Sequence, residues 1–196
     1  MSRDQNDTHW HTTIDSPIGP LGLVATDNGL RAVSWRGEET SVELPTDMLD
    51  GSDHPILAKA AAQLDEYFRG DRTSFDLPLD LRGTEFQEAA WRALGDIPYG
   101  STRSYGEQAA LIGRPKAVRA VGQANGRNPV PIVLPCHRVI GANGSLVGFG
   151  GGLATKTLLL RHEGALATSD GRGRERRAPA PTRGGPGLTA ADSQPG

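Results

Sequence analysis

The residues best suited to chemistry lie around the single cysteine of the chain, Cys136. His137 follows it directly, Arg138 adds a positive charge, and Pro135 restricts the backbone that enters the segment. A proton acceptor or a cation beside a cysteine favours the thiolate, the form that attacks carbon. A lone cysteine is also commonly a small buried apolar residue. From these neighbours alone both interpretations stay open, and the spacing does not show which side chain would receive the thiol proton.

The composition limits what else the chain can hold. One cysteine in 196 residues excludes an intramolecular disulfide and a cysteine-rich zinc site. The sequence has no run of about 18 apolar residues, the length that a membrane-spanning helix needs. Residues 1–11 are polar and lack the apolar segment of a signal peptide. We therefore expect a cytoplasmic protein.

The charge is distributed unevenly along the chain. Residues 1–81 carry six basic and fifteen acidic residues, a net charge of −9. Residues 82–164 carry ten and five, a net charge of +5, and residues 165–196 carry five and three. The middle segment therefore suits an anionic partner such as nucleic acid, although an ordinary solvated surface could show the same charge.

The first region, residues 1–81, is predicted to be a small α/β unit. Three stretches rich in β-branched and aromatic residues predict strands at residues 10–15, 21–26 and 30–35. Asn28-Gly29 predicts a tight turn between the last two strands.

A helix is predicted from about Pro55 to Arg69, ended by Gly70. Its apolar face is predicted to consist of Leu57, Ala61, Leu64 and Phe68. No chemistry is assigned to this region, and the histidines are interpreted as surface or packing residues: His9, His11 and His54.

The second region is predicted to be mainly helical. Thr84 with Gln87, and Ser104 with Glu107, form two capping-box patterns that predict helix starts. Pro115 suits the first turn of a third helix that runs to about Asn125. The last two helices, joined by a turn that contains a glycine, outline a helix-turn-helix, and Lys116 and Arg119 would lie on the helix that enters a DNA groove.

The segment before the cysteine, residues 129–135, is apolar and bracketed by prolines, so we expect a buried extended segment. After the cysteine, Asn143-Gly144 predicts a turn and residues 148–152 a glycine-rich loop. A helix is predicted from about Leu153 to His162. Beyond Gly164, arginine, glycine, proline and alanine dominate, which predicts a disordered tail.

The segment Pro135–Val139 resembles the active-site signature of the O6-alkylguanine-DNA alkyltransferases, also called methylated-DNA–protein-cysteine methyltransferases. The resemblance covers residues 10–164 and is most specific from 82 to 164. The other matching motifs are Ile97-Pro98-Tyr99-Gly100, Ser104-Tyr105-Gly106, Arg119-Ala120-Val121-Gly122, Asn128-Pro129, Gly150-Gly151-Gly152-Leu153 and His162-Glu163-Gly164.

The resemblance implies an α+β fold with two domains. A small ribonuclease-H-like α/β domain would occupy residues 1–81. A helical winged helix-turn-helix domain, carrying DNA binding and the active site, would occupy residues 82–164, and the disordered tail residues 165–196. It also implies a monomer that binds double-stranded DNA containing O6-alkylguanine through the minor groove.

The resemblance further implies the roles of the site residues. Cys136 would take the alkyl group in a single turnover, and no cofactor would be needed because the damaged base supplies that group. His137 would accept the thiol proton through a water molecule, oriented by Glu163, while Asn128 would brace the segment before the cysteine. The implied DNA-binding residues are Tyr105, Arg119, Lys116 and Ala120, and the implied substrate pocket is formed by Tyr105, Val139, Phe149 and Gly150.

Base flipping gives two of these residues their expected functions. Tyr105 would push the nucleotide out of the duplex, and Arg119 would fill the space that it leaves. Gly150 stands where some relatives carry a hydroxyl residue, so a side-chain contact to the base would be lost there while the backbone donor remains.

Two other functions are compatible with parts of this pattern. A protein that binds alkyl lesions without chemistry would share the DNA-binding residues, but it would not need Cys136. A Cys-His hydrolase acting on small molecules would use the cysteine, but it would leave Arg119 and the helix-turn-helix pattern unexplained.

Overall fold

A computed structural model describes residues 7–35 and 43–166, and the N-terminal region in it is built on a four-stranded sheet. The strands are β1 (Trp10–Ile14), β2 (Leu21–Thr26), β3 (Gly29–Trp35) and β4 (Leu49–Asp50), in the order β3-β2-β1-β4. The pairs β1–β2 and β2–β3 are antiparallel, and β1–β4 is parallel. The three predicted strands are therefore confirmed.

The turn between β2 and β3 lies one residue earlier than predicted. Thr26 pairs with Gly29, so the turn residues are Asp27 and Asn28. Gly29 has a φ of +155°, and a Cβ atom there would lie 2.6 Å from the carbonyl oxygen of Pro78. Gly29 is therefore needed for the close approach of Pro78 to β3, where the Leu30 N–H donates to that same oxygen.

The helix α1 (Pro55–Arg69) packs against this sheet and ends at Gly70 in the left-handed conformation, as predicted. Its buried face differs from the predicted one, because Ala61 and Phe68 are only partly buried. The fully covered side is made by Leu57, Ala60, Gln63, Leu64 and Tyr67. Near the end of α1 this side also contacts the second domain, where the Tyr67 hydroxyl bonds to Glu163 and the Tyr67 ring packs against Tyr99 and His162. Periodicity does not reveal that contact.

The second region contains four helices and a two-stranded parallel sheet. The helices are α2 (Glu85–Arg92), α3 (Tyr105–Leu111), α4 (Val118–Gly126) and α5 (Gly152–His162), and the strands are β5 (Arg103–Ser104) and β6 (Val139–Ile140). Both predicted capping boxes are present, at Thr84 and at Ser104. The helix α4 packs on α2 and on α3, and the small sheet of β5 and β6 packs against α3.

The start of the third predicted helix was wrong. The helix α4 begins at Val118, and Pro115 and Lys116 lie in a turn closed by the Ala117 N–H, which donates to the carbonyl of Arg114 at 2.8 Å. Proline suits the second position of such a turn as well as the first turn of a helix, so the sequence signal fits both. Lys116 therefore precedes the helix instead of lying on it.

The segment 129–135 is buried, as predicted, but it is not extended. It forms a tight turn in which the Leu134 N–H donates to the carbonyl of Val130 at 2.9 Å and Ile132 has a φ of +74°. Its prolines lack the N–H groups that a strand needs for a ladder, which favours a turn. Cys136–Arg138 then form one turn of 3₁₀ helix.

One apolar core joins the two regions. It runs from Leu23 in the sheet and Leu64 in α1 to Trp91 in α2, Val139 in β6 and Leu159 in α5. No helix within residues 7–35 and 43–166 is long and apolar enough to cross a membrane. The predicted tail lies outside the described residues except for Ala165, which is buried, and Leu166.

Candidate active site

Cys136 lies in the 3₁₀ turn with only 7% of its surface exposed. Burial raises the pKa of its thiol, whereas the Asn128 amide, the charge of Lys156 and nearby main-chain N–H groups lower it. The thiol is therefore protonated in the unbound protein, and its activation depends on a nearby base.

Glu163 holds the histidine that follows the cysteine. Its Oε1 atom lies 2.8 Å from Nε2 of His137, and both side chains are completely buried. Burial alone would raise the pKa of Glu163, but His137 and Arg138 bring it down to about 2. Glu163 is therefore a carboxylate that can only accept hydrogen bonds.

The carboxylate determines which nitrogen of His137 carries the proton. Burial lowers the pKa of His137 despite the opposing attraction of Glu163, so the imidazole is neutral near pH 7. Because Glu163 accepts from Nε2, the proton is on Nε2 and the lone pair is on Nδ1. Nδ1 is buried and has no hydrogen-bond partner among the described residues. His137 thus has the tautomer that a base needs.

Two further side chains bond to the carboxylate, and sequence reasoning connected neither of them with Glu163. Arg138 donates from Nε to Oε2 at 2.8 Å and from Nη2 to Oε1 at 2.9 Å. Tyr67, from α1, donates its hydroxyl to Oε1 at 2.7 Å. Arg138 could have been suspected from its position beside His137, but Tyr67 is 96 residues from Glu163 in the sequence.

Lys156 is a third missed residue. It is completely buried in α5, and its Nζ donates to the carbonyl of Val139 at 2.6 Å and to that of Val147 at 2.8 Å. Burial lowers its pKa to about 8. The lysine ties the strand after the active-site turn to the start of the glycine-rich loop, and nothing in its sequence neighbourhood distinguishes it from a surface lysine.

Asn128 connects the end of α4 with the segment before the cysteine. Its Nδ2 donates to the carbonyl of Leu134 at 2.7 Å, and its Oδ1 accepts from the N–H of Val130 at 3.1 Å. These contacts fix the turn that delivers Cys136.

The remaining predicted residues lie on the outer side of the helix-turn-helix. Tyr105 is half-buried at the start of α3 and donates its hydroxyl to the carbonyl of Val147 at 3.0 Å. Arg119 and Ala120, near the start of α4, and Lys116, in the turn before it, are exposed. An open groove runs between α4 and the glycine-rich loop, lined by Tyr105, Lys116, Val118, Arg119, Gly122, Gln123, Val147 and Gly148.

The loop residues close the other side of the site. Phe149 lies edge-on to the His137 ring, with centroids 6.4 Å apart, and also to that of Trp35. Val139 is fully buried and Gly150 is exposed. Within the described ranges, no three His, Cys, Asp or Glu side chains are arranged to hold a metal ion.

Comparison of the sequence with models of known protein families identifies the family of this chain. Residues 10–81 match the ribonuclease-like domain of 6-O-methylguanine DNA methyltransferase, and residues 85–165 match its DNA-binding domain. The chain belongs to this family. The family match confirms the α+β fold with a ribonuclease-like domain followed by a DNA-binding domain; the domain boundaries at 81 and 164 stay predictions.

Individual relatives agree with this assignment. The chain is 51% identical over 160 residues to the methylated-DNA–protein-cysteine methyltransferase of Mycobacterium tuberculosis strain H37Rv, covering 82% of this chain and 95% of the relative. It is 47% identical to the enzyme of that name from Methanosarcina acetivorans, covering 80% and 99%. A crystal structure of the M. tuberculosis protein OGT in complex with DNA matches with a TM-score of 0.71 and 49% identity, covering 79% of this chain and 92% of that one. The family is thus a family of DNA-binding alkyltransferases, in which a protein cysteine receives the methyl group.

Proposed function

We propose that this protein repairs O6-alkylguanine in double-stranded DNA by moving the alkyl group to Sγ of Cys136, once per molecule. The observation that carries the proposal is the pairing of a buried thiol with a neutral His137 whose Nε2 proton is held by Glu163. An inert core cysteine needs no such base. A protein that only binds lesions needs neither the thiol nor the base.

The reaction uses groups of this chain alone. Nδ1 of His137 takes the thiol proton through a water molecule, and the thiolate attacks the alkyl carbon. The carbon–oxygen bond breaks, and its electrons stay on the guanine oxygen. The guanine then takes up one proton, which balances the proton that His137 removed from the thiol. The product is a thioether, which has no easy leaving group, so the protein is consumed and no cofactor takes part.

A buried cysteine cannot reach the alkyl group of a guanine that is stacked in the duplex, so the nucleotide must leave the duplex before transfer. Arg119 is exposed on α4 and lines the open groove of the protein. From there its side chain can enter the minor groove of bound DNA and fill the space that the flipped nucleotide leaves. Tyr105 lies across the groove and can rotate the nucleotide toward the cysteine. Lys116 and Ala120 lie near the same end of α4. Lys116 would contact the DNA backbone, and Ala120 would contact the floor of the minor groove.

The pocket for the flipped base would lie between α3 and the glycine-rich loop. Val139, Phe149 and Gly150 supply its inner wall and main-chain donors. Lys156 holds this wall in place through the carbonyls of Val139 and Val147. A monomer is sufficient, because every group in this scheme comes from one chain; the cytoplasmic location stays a prediction from the sequence.

Cys136→Ala tests the assignment of the acceptor. A duplex with a labelled methyl group on one O6-methylguanine would be mixed with wild-type protein or with the variant. We expect label on the wild-type protein only, and unchanged DNA affinity for the variant because DNA contacts come from other groups. Label on Cys136→Ala, or repair that continues beyond one equivalent of wild-type protein, would contradict the proposal.

A further inference from the structure

We propose that Tyr67, from the ribonuclease-like domain, is a positioning residue for alkyl transfer and acts by holding the Glu163 oxygen that binds His137. The inference rests on the proposed function of Cys136 and His137. It extends the active-site network across the boundary between the two domains.

The geometry places the Tyr67 hydroxyl on the one carboxylate oxygen that matters for the histidine. Oε1 of Glu163 accepts from Tyr67 at 2.7 Å, from His137 at 2.8 Å and from Arg138 at 2.9 Å. Among the described residues, the other partners of this carboxylate all belong to the DNA-binding domain. Through Tyr67, the first domain thus contributes one hydrogen bond to the carboxylate that orients His137.

The hydroxyl is held rigidly as a donor. Tyr67 is completely buried, and burial together with the charge of Glu163 raises its pKa far above the ordinary value, so it keeps its proton. Its ring is surrounded by aromatic neighbours whose centroids lie 5.0 to 6.1 Å away: His162, Phe68, Phe75 and Tyr99. Its main-chain carbonyl also accepts a hydrogen bond from Nε2 of His162 at 2.8 Å.

This third donor tunes the strength of Glu163 as a partner for His137. A hydrogen bond to a carboxylate draws negative charge toward the donor. Without the hydroxyl, more of that charge would face His137, the protonated imidazole would be better stabilised, and the pKa of His137 would rise. A histidine that stays protonated to higher pH cannot accept the thiol proton, so the increase of the transfer rate with pH would begin at higher pH.

Other titratable groups surround Glu163 and His137, and removal of the Tyr67 hydroxyl leaves all of them in place. They come from the active-site turn, the α2–α3 connection and α5, and they are Cys136, Arg138, Tyr99, Lys156 and His162. A shift caused by removing one hydroxyl is therefore attributable to Tyr67.

Tyr67→Phe is the test, because it removes the hydroxyl and keeps the ring. The rate of transfer from the free base O6-benzylguanine would be measured from pH 5 to pH 9, and the pKa of His137 would be followed by NMR. We expect both the rate profile and the His137 pKa to move upward by about one pH unit, which slows transfer about tenfold on the acidic side. Reaction with a methylated duplex should slow by the same factor, since DNA binding is untouched.

Tyr99→Phe is the matched control. Its hydroxyl bonds to the main-chain carbonyl of His162 at 3.2 Å, in the same aromatic cluster, but does not bond to Glu163. We expect its pH profile to stay that of the wild type. An equal shift in both variants would overturn the proposal, and so would a slower Tyr67→Phe whose profile and His137 pKa are unchanged, since a packing defect alone gives that result.

A second variant covers the case in which Tyr67→Phe does not fold. Placing 3-fluorotyrosine at position 67 keeps the ring and makes the hydroxyl a stronger donor. The profile should then move to lower pH, and an unmoved profile would contradict the inference. If wild-type protein transfers no alkyl group to Cys136, the proposed function itself is wrong. If the wild type transfers and neither variant moves the profile, only the role of Tyr67 is wrong.

Discussion

Two charged side chains near Cys136, Glu163 and Arg138, are buried away from water. Glu163 and Arg138 are buried together, and their side chains are 0% and 6% exposed. A buried ion pair adds little net stability compared with apolar residues, but removal of one partner strands the other charge. Glu163 is therefore expected to affect both folding and the state of His137.

Glu163→Gln should lower the free energy of unfolding by about 3–5 kcal/mol at pH 7, because Arg138 is left without its counter-charge. The pKa of Glu163 is lowered to about 2 in the folded protein, so its stabilising effect is complete above its ordinary pKa and is lost as the pH falls from about 4.5 toward 2. The difference between wild type and variant should shrink over that range. Urea unfolding at several pH values measures it.

Asp65→Asn is the control for this measurement, since Asp65 pairs with Arg69 on the surface of α1 and is 66% exposed. Its effect should stay below about 1 kcal/mol. A difference between wild type and Glu163→Gln that is the same at pH 7 and at pH 3 would contradict the assigned charge of Glu163.

Arg119 tests base flipping. Arg119→Ala should slow repair of duplex DNA by roughly 5- to 150-fold, since unstacking a base costs a few kcal/mol and the arginine would offset part of that cost. Arg119→Lys keeps the charge but loses the planar guanidinium that can bond the orphaned base, so it should restore only part of the rate. Transfer from free O6-benzylguanine should be near normal in both variants.

The dependence of the repair rate on salt concentration distinguishes a role of Arg119 in base flipping from a simple phosphate contact. A phosphate contact weakens as the salt concentration rises, so the difference between arginine and lysine would disappear at high salt. We expect the difference to persist. Full rescue by lysine would make Arg119 an ordinary electrostatic contact.

At the scale of elements, the turn at 129–135 delivers the cysteine, and Asn128 holds it. Asn128→Ala would leave the Leu134 carbonyl and the Val130 N–H buried without their partner, so the free energy of unfolding should fall by about 1–3 kcal/mol. Asn143→Ala, in an exposed turn where Oδ1 accepts from the Ser145 N–H, should change it by less than about 0.5 kcal/mol. Equal effects in thermal unfolding would show that Asn128 does not brace the segment.

The sequence predicts elements well where the signal is local. The strands, the two capping boxes and the end of α1 at Gly70 depend on a few neighbouring residues, and the structure confirms them. The start of α4 was wrong because Pro115 fits a turn and a helix equally. The predicted shape of residues 129–135 was wrong because an apolar run bracketed by prolines fits a turn as well as an extended segment, and the Asn128 side chain closes the turn.

The site shows the same division. Cys136 and His137 are adjacent, so their chemistry can be suspected from the sequence. Tyr67 could not be found this way, because it meets Glu163 only through the packing of one domain on the other. Lys156 is likewise recognisable only after folding buries it.

At the scale of the whole molecule, the charge separates between the two regions. The region 1–81 carries a net charge of −9 and the region 82–164 carries +5, so the DNA-binding side attracts phosphate while the other side is repelled. We expect this difference to orient the protein on DNA before any specific contact forms.

Removal of residues 167–196 tests the last part of the chain. Their composition predicts that they add little to the core, so the melting temperature should stay within about 2 °C and transfer from the free base should be unchanged. Affinity for duplex DNA should fall modestly at low salt, since the segment carries five basic and three acidic residues. A large fall in melting temperature would show that the segment packs on the domains.

Single-turnover transfer to Cys136 is tested most directly by the intact mass of the protein after reaction with increasing amounts of duplex DNA containing O6-methylguanine, followed by peptide mapping. We predict that the mass rises by one methyl group per chain, that the group maps to Cys136, and that repair stops when the protein is used up. Unmodified protein beside repaired DNA, a methyl group on another residue, or more than one repaired base per chain would contradict it.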